Sequence, residues 1–428
     1  MKKEYEIALS YAHKDSEIEK IMEKELEQVF TGGVFTDTLR REKLANASQL
    51  KEKLQSIFRE AEYSIILYSK NYYKGKFTRV EGEAIQSCVK PGQEPHFFIV
   101  KIDGSKKIPE EWRGRTYIEL GMPNSFKKGK AFARRKYAED LDNLTRRIRD
   151  TIHNQIKTFM IEQKIKESRN KREFSLNIHT TFGPGNGANW RMDYDWNLLG
   201  TGYIEENGRK IKQGTTWQDF WPYLEKDFIW IREELRKGSD ACFKICLNCQ
   251  LSVAYKLGHA YGDLSQGSGN RNLVLTSSNR VSEIEFPLAK EIRYTLPEDF
   301  CRVYEGNDTD STNIACIISI KFRKNERIVE TVKEFFDGEK MSYSKIYLFQ
   351  KEAIIERADD LENLAEYMRK TMENCRKGNK DNKGVIHLFP DTMAPLMFVL
   401  GARTIIPGKI CLYEYDPDQD TYEMSLTK

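Results

Sequence analysis

The sequence predicts an α/β protein in two parts, a doubly wound parallel sheet followed by a repeated α/β unit. In the first third of the chain, apolar strand-like runs alternate with amphipathic helical segments. In the last part, one strand-turn-helix pattern occurs twice. The chain has 428 residues, which corresponds to two or three domains at about 100–200 residues each.

Strands and helices are predicted in the order βαβα at the N-terminus. Residues 63–68 and 96–102 are continuous apolar runs, typical of strands buried on both faces. Shorter strands are predicted at 5–10 and 34–36. The segments between the strands carry apolar residues at helical spacing, among them Ile18, Met22, Leu50, Leu54, Val80, Ala84, Leu144 and Ile148. This alternation predicts a parallel sheet covered by helices.

A basic segment follows, with 15 Lys and Arg against 6 Asp and Glu in residues 121–172. It is either a nucleotide or nucleic-acid patch, or a solvated helix and linker, and we favour the second interpretation. The glycine-rich run at 183–189 indicates a loop near a domain boundary. We therefore predict a first domain at 1–165, a linker at 166–184 and a second domain at 185–428.

The second domain contains an internal repeat. Residues 243–258 and 386–401 align at a constant offset of 143 residues, which pairs Gly258 with Gly401. Other aligned pairs are Ile245 with Leu388, Val253 with Leu396, Tyr255 with Phe398, and Leu257 with Leu400. Each copy reads as a strand, a turn and a helix, and another strand follows. Two such half-units place their strand ends around one crevice, where α/β sheets bind ligands.

Composition excludes several classes of protein. The net charge is only +4, so bulk charge does not favour duplex DNA as a partner. No apolar run approaches the roughly 20 residues of a membrane span. The N-terminus has no signal-peptide pattern, and eight cysteines in a chain this long are no disulfide framework. We expect a cytoplasmic protein without a membrane partner.

Three boxes in the N-terminal part resemble a TIR domain. Residues 7–15 (Ile-Ala-Leu-Ser-Tyr-Ala-His-Lys-Asp) are similar to the first strand and loop of that family, and residues 34–37 to its second strand. Residues 65–85, which include Ser-Lys-Asn-Tyr-Tyr and Phe-Thr-Arg-Val-Glu, are similar to the third box. The resemblance covers roughly residues 1–160 and implies a flavodoxin-like, doubly wound fold.

The C-terminal part resembles a SAVED domain. Leu388-Phe389-Pro390, the helix to Gly401 and the strand at 410–414 are similar to the closing segment of that family. Residues 252–258 are similar to its first half. The resemblance covers roughly residues 185–428 and implies two fused CARF-like Rossmann halves that sense cyclic oligonucleotides.

A TIR domain joined to a SAVED domain resembles the effectors of CBASS anti-phage systems. The resemblance implies an NAD⁺ glycohydrolase that depletes NAD⁺ in abortive infection once a cyclic oligonucleotide binds. We expect cyclic oligoadenylate as activator, with cyclic tri-adenylate as the ring, and no cofactor, because NAD⁺ is the substrate. The family also implies head-to-tail multimers or filaments. The alternative is a non-enzymatic TIR scaffold that multimerises on messenger binding.

The resemblance assigns the catalytic carboxylate to Glu81, which ends the box that begins at Phe77. Glu83 lies about 200° further around the helix, so only one of the two faces the pocket, and the spacing favours Glu81. Cleavage of the glycosidic bond passes through an oxocarbenium-like state that one carboxylate can stabilise or trap. Nicotinamide leaves as a neutral molecule and needs no acid. The plainer interpretation is an exposed glutamate near a helix start.

Further roles come from the same family pattern. It implies contacts to NAD⁺ from Ser10, Tyr11, Ala12, His13, Asp37, Ser69 and Phe77. The BB loop corresponds to residues 38–48, where Arg40, Arg41 and Lys43 are available for assembly. No Gly-x-Gly-x-x-Gly follows the first strand, which argues against a redox dinucleotide site.

Messenger contacts are expected at the strand ends of the two half-units. The candidates are Asn248, Cys249, Ser319, Lys321, Arg323, His387, Phe389, Pro390 and Asp391. Lys321 and Arg323 suit phosphate, and the helix after Asp391 could offer backbone N–H groups to it. Phe389 either stacks on an adenine or belongs to the core, and His387 is either a ligand or a satisfied polar group.

The cysteines at 242, 246 and 249 lie close together in sequence and raise the question of zinc. No fourth ligand follows at zinc-finger spacing, and the first two point the same way on a strand. We favour a role in the core and predict no metal.

Overall fold

We describe the chain from a computed structural model. The described residues are 5–30, 34–36, 50–87, 97–103, 109, 112, 117–120, 134–171, 173–179, 194–197, 203–206, 209–212, 217–236, 242–262, 273–276, 284–286, 300–321, 327–352, 355, 357–377, 384–404, 408–416 and 421–427. The chain divides into two compact units, Met1–Glu162 and Gln163–Lys428.

The described strands of the first unit form one parallel sheet. They are β1 Tyr5–Tyr11, β2 Val34–Phe35, β3 Ala61–Tyr68, β4 Phe97–Lys101 and β5 Tyr117–Glu119. Their order in the sheet is β2-β1-β3-β4-β5, and every neighbouring pair is parallel. The predicted doubly wound fold is therefore confirmed. The short edge strand β5 was not predicted, because three residues carry no periodic signal.

Helices cover both faces of this sheet. They are α1 Ser16–Val29, α2 Leu50–Glu60, α3 Lys70–Lys74, α4 Lys76–Ser87 and α5 Arg134–Thr151. Successive side chains of a strand point to opposite faces, so β1 and β3 each contribute to two cores. Ile7 and Ile65 pack with residues of α1 and α5. Ala8 and Ile66 pack with residues of α2 and α4.

The predicted linker at 166–184 is wrong. After α5, a π-helical turn at Ile152–Ile156 leads directly into α6, Lys157–Lys171. Residues Glu173–His179 then form strand β6, which pairs along its whole length with a strand of the second unit. The alternating apolar residues Phe174, Leu176 and Ile178, all fully buried, were the missed signal. The predicted start of the second domain at 185 is therefore too late.

The second unit contains two half-units, each built around one mainly parallel sheet. The first has β6, β7 Tyr194–Asn197, β8 Tyr203–Glu206, β9 Arg209–Lys212, α7 Trp217–Arg236, β10 Cys242–Asn248, α8 Leu251–Tyr261, β11 Leu273–Thr276 and β12 Ile284–Phe286. The second has β13 Cys301–Glu305, β14 Ile314–Lys321, α9 Ile328–Gly338, β15 Lys345–Glu352, α10 Ala358–Lys377, β16 Ile386–Asp391, α11 Ala394–Arg403, β17 Ile410–Asp416 and β18 Thr421–Thr427.

Among the described strands, the five of the first sheet correspond in order to five of the six in the second, and β13 is the additional strand. The first is β12-β11-β10-β6-β7, and the second, read from its other edge, is β18-β17-β16-β14-β15-β13. In both sheets the strand of the sequence repeat, β10 or β16, lies between two parallel neighbours. In both, an antiparallel strand, β12 or β18, closes the same edge. The predicted duplication is confirmed.

Candidate functional site

In the first unit, a carboxylate from α4 meets the carboxyl end of β1. The Ser10 hydroxyl donates a hydrogen bond of 2.6 Å to Oε2 of Glu81. Ser10 is buried near the end of its strand, whereas Glu81 is partly exposed. The carboxyl edge of a parallel sheet is where such folds bind ligands. The structure thus brings together two of the residues predicted for one pocket.

A phenol extends this contact into the core. The hydroxyl of Tyr72 lies 2.8 Å from Oγ of Ser10. Burial, and next the nearby charge of Glu81, raise the pKa of Tyr72 well above its ordinary value, so the phenol stays protonated. Tyr72 belongs to the third sequence box but was not predicted as a site residue, because its link to residue 10 exists only in the fold.

Ser69 has a structural role that the sequence did not reveal. Its hydroxyl donates to Oδ2 of Asp15 at 2.5 Å and accepts from the backbone N–H groups of Asn71 and Tyr72 at 3.1 Å each. It is thus the N-cap of α3. The amide of Asn71 also donates to Asp15. Burial raises the pKa of Asp15, against the effect of these hydrogen bonds. Ser69 is therefore a capping residue, not a substrate contact.

The remaining predicted contacts to NAD⁺ divide into three groups. Tyr11 and Ala12 are buried in the two cores. The prediction that their side chains contact the substrate therefore disagrees with their burial. His13 is exposed in the turn after β1. Asp37 lies outside the described residues, and the side chain of Phe77 is not described. The residues predicted for assembly, Arg40, Arg41 and Lys43, also lie outside the described residues.

Glu81 and Glu83 face different surroundings, as their spacing predicted. Glu83 is exposed and lines a cavity of about 750 Å³ on its own side of α4. Tyr68, Tyr72 and Trp112 contribute aromatic walls to this cavity. Gly82 allows Trp112 to approach the helix, since a Cβ there would come within 3.1 Å of the indole. Glu81 remains the better catalytic candidate because its carboxylate contacts Ser10 near the carboxyl end of β1. That is the edge at which such sheets bind ligands.

In the second unit, two of the predicted messenger contacts belong to the core. The ring of Phe389 is fully buried and stacks on Tyr413 with centroids 4.5 Å apart, so it is no exposed platform for a base. His387 is buried, and its Nδ1 lies 2.7 Å from the hydroxyl of Tyr413. Burial, with a smaller effect of Lys409, lowers the pKa of His387 to about 4. The buried imidazole is therefore neutral and bonded to Tyr413, which favours the alternative in which His387 is a polar group of the core.

Ser319 and Asp391 are brought together at the carboxyl edge of the second sheet. They are register partners in the parallel strands β14 and β16. Asp391 is partly exposed, whereas Ser319 is buried and its hydroxyl has no hydrogen-bond partner among the described residues. Pro390 beside them is buried. This edge of the second sheet therefore has a buried hydroxyl next to a partly exposed carboxylate, and their contact to a messenger stays a prediction.

For the other messenger candidates, the structure describes fewer side-chain contacts. Asn248 and Lys321 end strands β10 and β14, but their side chains are not described, and Arg323 lies outside the described residues. Cys249 is buried, and burial raises the pKa of its thiol well above the ordinary value. Within the described parts of the chain, no three His, Cys, Asp or Glu side chains are grouped to hold a metal ion.

Glu414 is a residue that sequence reasoning missed. Its Oε1 accepts a hydrogen bond of 2.6 Å from the backbone N–H of Ser252, at the start of α8. Glu414 belongs to the second half-unit and Ser252 to the first, so the contact joins the halves. Burial raises the pKa of Glu414 to about 7, against the effect of the bonds from Ser252. A carboxylate at a helix start is a common cap, but nothing local in the sequence pairs residues 252 and 414.

Family models match both ends of the chain. The model described as TIR domain matches residues 7–134. The model described as SMODS-associated and fused to various effectors sensor domain, SAVED, matches residues 289–427. The chain carries an N-terminal TIR domain and a C-terminal SAVED domain. Glu81, Ser10 and Tyr72 thus lie in the TIR domain, and Ser319, Asp391 and Glu414 lie in the SAVED match.

Solved structures similar to the chain are SAVED/CARF-domain receptors. The Acinetobacter baumannii Cap4 receptor with the cyclic trinucleotide 3'3'3'-cAAA is 12% identical over 89% of this chain and 86% of that chain, with a TM-score of 0.41. The same receptor with 2'3'3'-cAAA is 13% identical over 89% and 86%, with a TM-score of 0.42. The Moraxella osloensis Cap4 receptor is 14% identical over 89% and 85%, with a TM-score of 0.37.

No curated protein sequence matches the chain. Among the described helices, none is both long enough and apolar enough to cross a bilayer.

Proposed function

We propose that the chain is an NAD⁺ glycohydrolase activated by a cyclic oligonucleotide. The TIR domain cleaves the bond between nicotinamide and ribose, and the SAVED domain binds the messenger. The observation that carries the proposal is the hydrogen bond from Ser10 to Glu81, which fixes a partly exposed carboxylate at the ligand-binding edge of a TIR domain.

One carboxylate suffices for this reaction. Departure of nicotinamide leaves positive charge on the ribose ring, and Glu81 stabilises that charge or traps it as a covalent intermediate. The leaving group departs as a neutral pyridine from a cationic pyridinium, so no acid has to protonate it. NAD⁺ is the substrate, and the proposal requires neither a metal nor a cofactor.

The SAVED domain supplies the control. Its two half-units place strand ends, including Ser319 and Asp391, at the edges where α/β sheets bind ligands. We propose that a cyclic oligoadenylate, with cyclic tri-adenylate as the first candidate, binds there. By linkage, the messenger activates only if it binds the active state of the chain more tightly than the inactive state. In a bacterial cytoplasm, the resulting loss of NAD⁺ would serve anti-phage defence of the CBASS type.

The experiment measures nicotinamide release with and without a panel of cyclic oligonucleotides. We expect the wild type to release nicotinamide with only one of the cyclic oligonucleotides in the panel. Glu81→Gln retains the size of the side chain but removes its charge, and it should lower turnover at least about 100-fold.

The matched control is Glu83→Gln on the same helix. It should retain turnover within about threefold, because Glu83 faces away from the end of β1. If E83Q abolishes turnover and E81Q does not, the catalytic site is the cavity beside Glu83. If the wild type binds a messenger but releases no nicotinamide, the chain is the non-enzymatic scaffold.

A further inference from the structure

Tyr72, Ser10 and Glu81 form a chain of hydrogen bonds that crosses three elements of the TIR domain. The two bonds measure 2.8 Å, from Tyr72 to Ser10, and 2.6 Å, from Ser10 to Glu81. The residues come from α3, β1 and α4. These hydrogen bonds therefore tie the carboxylate of Glu81 to the core of the domain and not only to its own helix.

The direction of donation follows from the end of the chain. An ionised carboxylate can only accept, so the hydroxyl hydrogen of Ser10 points to Glu81. The oxygen of Ser10 is then left to accept, and the phenol of Tyr72 donates to it. Because Tyr72 keeps its proton, both donors are permanent.

Both donors are held rigidly. Ser10 is 1% exposed and Tyr72 is 3% exposed. The Tyr72 ring packs against Tyr68 and Trp112, with ring centroids 6.0 Å and 6.1 Å away. Its backbone N–H is bound to the hydroxyl of Ser69. Glu81, by contrast, is partly exposed, and the bond from Ser10 restricts the rotamers that its carboxylate adopts.

We propose that Ser10 and Tyr72 are positioning residues that hold the Glu81 carboxylate in the orientation required to meet the developing ribose cation. The inference rests on the proposed NAD⁺ cleavage and adds to it. Ser10 then acts through Glu81 and not, as the family pattern implied, by binding the substrate. Tyr72 acts through its hydrogen bond to Ser10. A misplacement of about 1 Å at a reacting group can cost about 100-fold in rate, so the restraint has a measurable consequence.

The test measures kcat and KM for NAD⁺ at saturating messenger for the wild type, S10A, Y72F and the double variant. We expect S10A to lower kcat about 100-fold and Y72F about 10-fold, with KM within about threefold of the wild type, because binding groups are unchanged. The double variant should be no slower than S10A, because the hydrogen bonds that lead from Tyr72 to Glu81 pass through Ser10.

Two controls come from the adjacent strand β3. Ser64 and Tyr63 are as buried as the residues tested, at 4% and 2% exposed, and they stand outside the chain of bonds. S64A and Y63F should leave kcat unchanged, and melting temperatures of all variants report folding. If S10A melts early, Y72F, which removes a single oxygen atom, decides the question.

The outcomes distinguish a failure of the positioning role from a failure of the proposed NAD⁺ cleavage. No nicotinamide release from the wild type, with any messenger, overturns the proposed function and the inference together. An active wild type with S10A at full kcat overturns the inference alone. A double variant whose loss is the product of the two single losses shows that Tyr72 does not act through Ser10, which also overturns it.

Discussion

Gly258 lies so close to Phe398 that no side chain fits between their helices. A Cβ on Gly258 would come within 1.8 Å of the carbonyl oxygen of Phe398. The reciprocal contact exists at Gly401, where a Cβ would come within 1.9 Å of the carbonyl oxygen of Tyr255. Phe398 and Tyr255 are themselves paired by the 143-residue offset. Helices α8 and α11 therefore contact each other reciprocally, through equivalent positions of the repeat.

Alanine at either glycine should destabilise the second unit. The added methyl group meets backbone, which cannot rotate away, so the two helices must separate. We expect a loss of about 1–3 kcal/mol for G258A and a similar loss for G401A. Thermal unfolding measures the effect.

The matched control is Gly338, the last residue of α9, where a Cβ would meet nothing within 4 Å. G338A should be neutral or slightly stabilising, because alanine reduces the entropy of the unfolded chain. If G258A and G338A unfold at the same temperature, the close crossing of α8 and α11 is not a feature of the protein in solution.

The offset of 143 residues was visible in the sequence because it depends on residue types within two short windows. A glycine is required at the crossing, apolar residues at the buried helix faces, and each requirement appears locally. Contacts between distant residues carry no such signal. Ser10 and Glu81 are 71 positions apart, and Ser252 and Glu414 are 162 apart. For the same reason, the sequence alone could not decide whether Phe389 and His387 pack against Tyr413 in the core or contact a ligand.

Ser69→Ala should affect stability and leave substrate affinity unchanged. The variant removes the cap of α3 and one donor to the buried Asp15. Loss of such a cap costs about 1 kcal/mol. KM for NAD⁺ should stay within about twofold of the wild type, because the Ser69 hydroxyl is committed to these bonds. A large rise in KM without a fall in melting temperature would restore the predicted substrate contact.

Glu414 should make the stability of the SAVED domain depend on pH. The pKa of its carboxyl group is about 7 in the folded chain, against an ordinary value of 4.5. Between these values the folded chain retains a proton that the unfolded chain releases. The free energy of unfolding therefore falls as pH rises through this range, by up to about 3 kcal/mol for this group.

Glu414→Gln isolates that contribution. The amide does not titrate, and its oxygen can still accept the hydrogen bond from Ser252. The difference in unfolding free energy between wild type and E414Q should therefore shift in favour of the variant between pH 5 and pH 8, at about 1.4 kcal/mol per unit at most. Other titrating groups cancel in this difference. If the unfolding free energies of the two proteins change in parallel with pH, Glu414 is not the source of the pH dependence.

Activity should require assembly of the chain. Among the described residues, Glu81 and its neighbours provide few groups to enclose a dinucleotide, and the TIR resemblance implies that the BB loop of an adjacent copy completes the pocket. Here that segment is 38–48, outside the described residues, and its cations Arg40 and Arg41 suit either the next copy or the phosphates of NAD⁺. A head-to-tail contact that does not close produces filaments. Turnover at saturating messenger should therefore rise more steeply than linearly with protein concentration.

Charge reversal tests this dependence directly. Arg40→Glu with Arg41→Glu should abolish both assembly and turnover, while the SAVED domain still binds messenger with reduced apparent affinity, since assembly and binding are linked. Arg59→Glu, at an exposed position near the end of α2, is the control and should change neither. Light scattering read beside nicotinamide release separates the steps. Full turnover from particles that remain monomeric would mean that each TIR domain encloses NAD⁺ by itself, and the messenger would then have to act within a single chain.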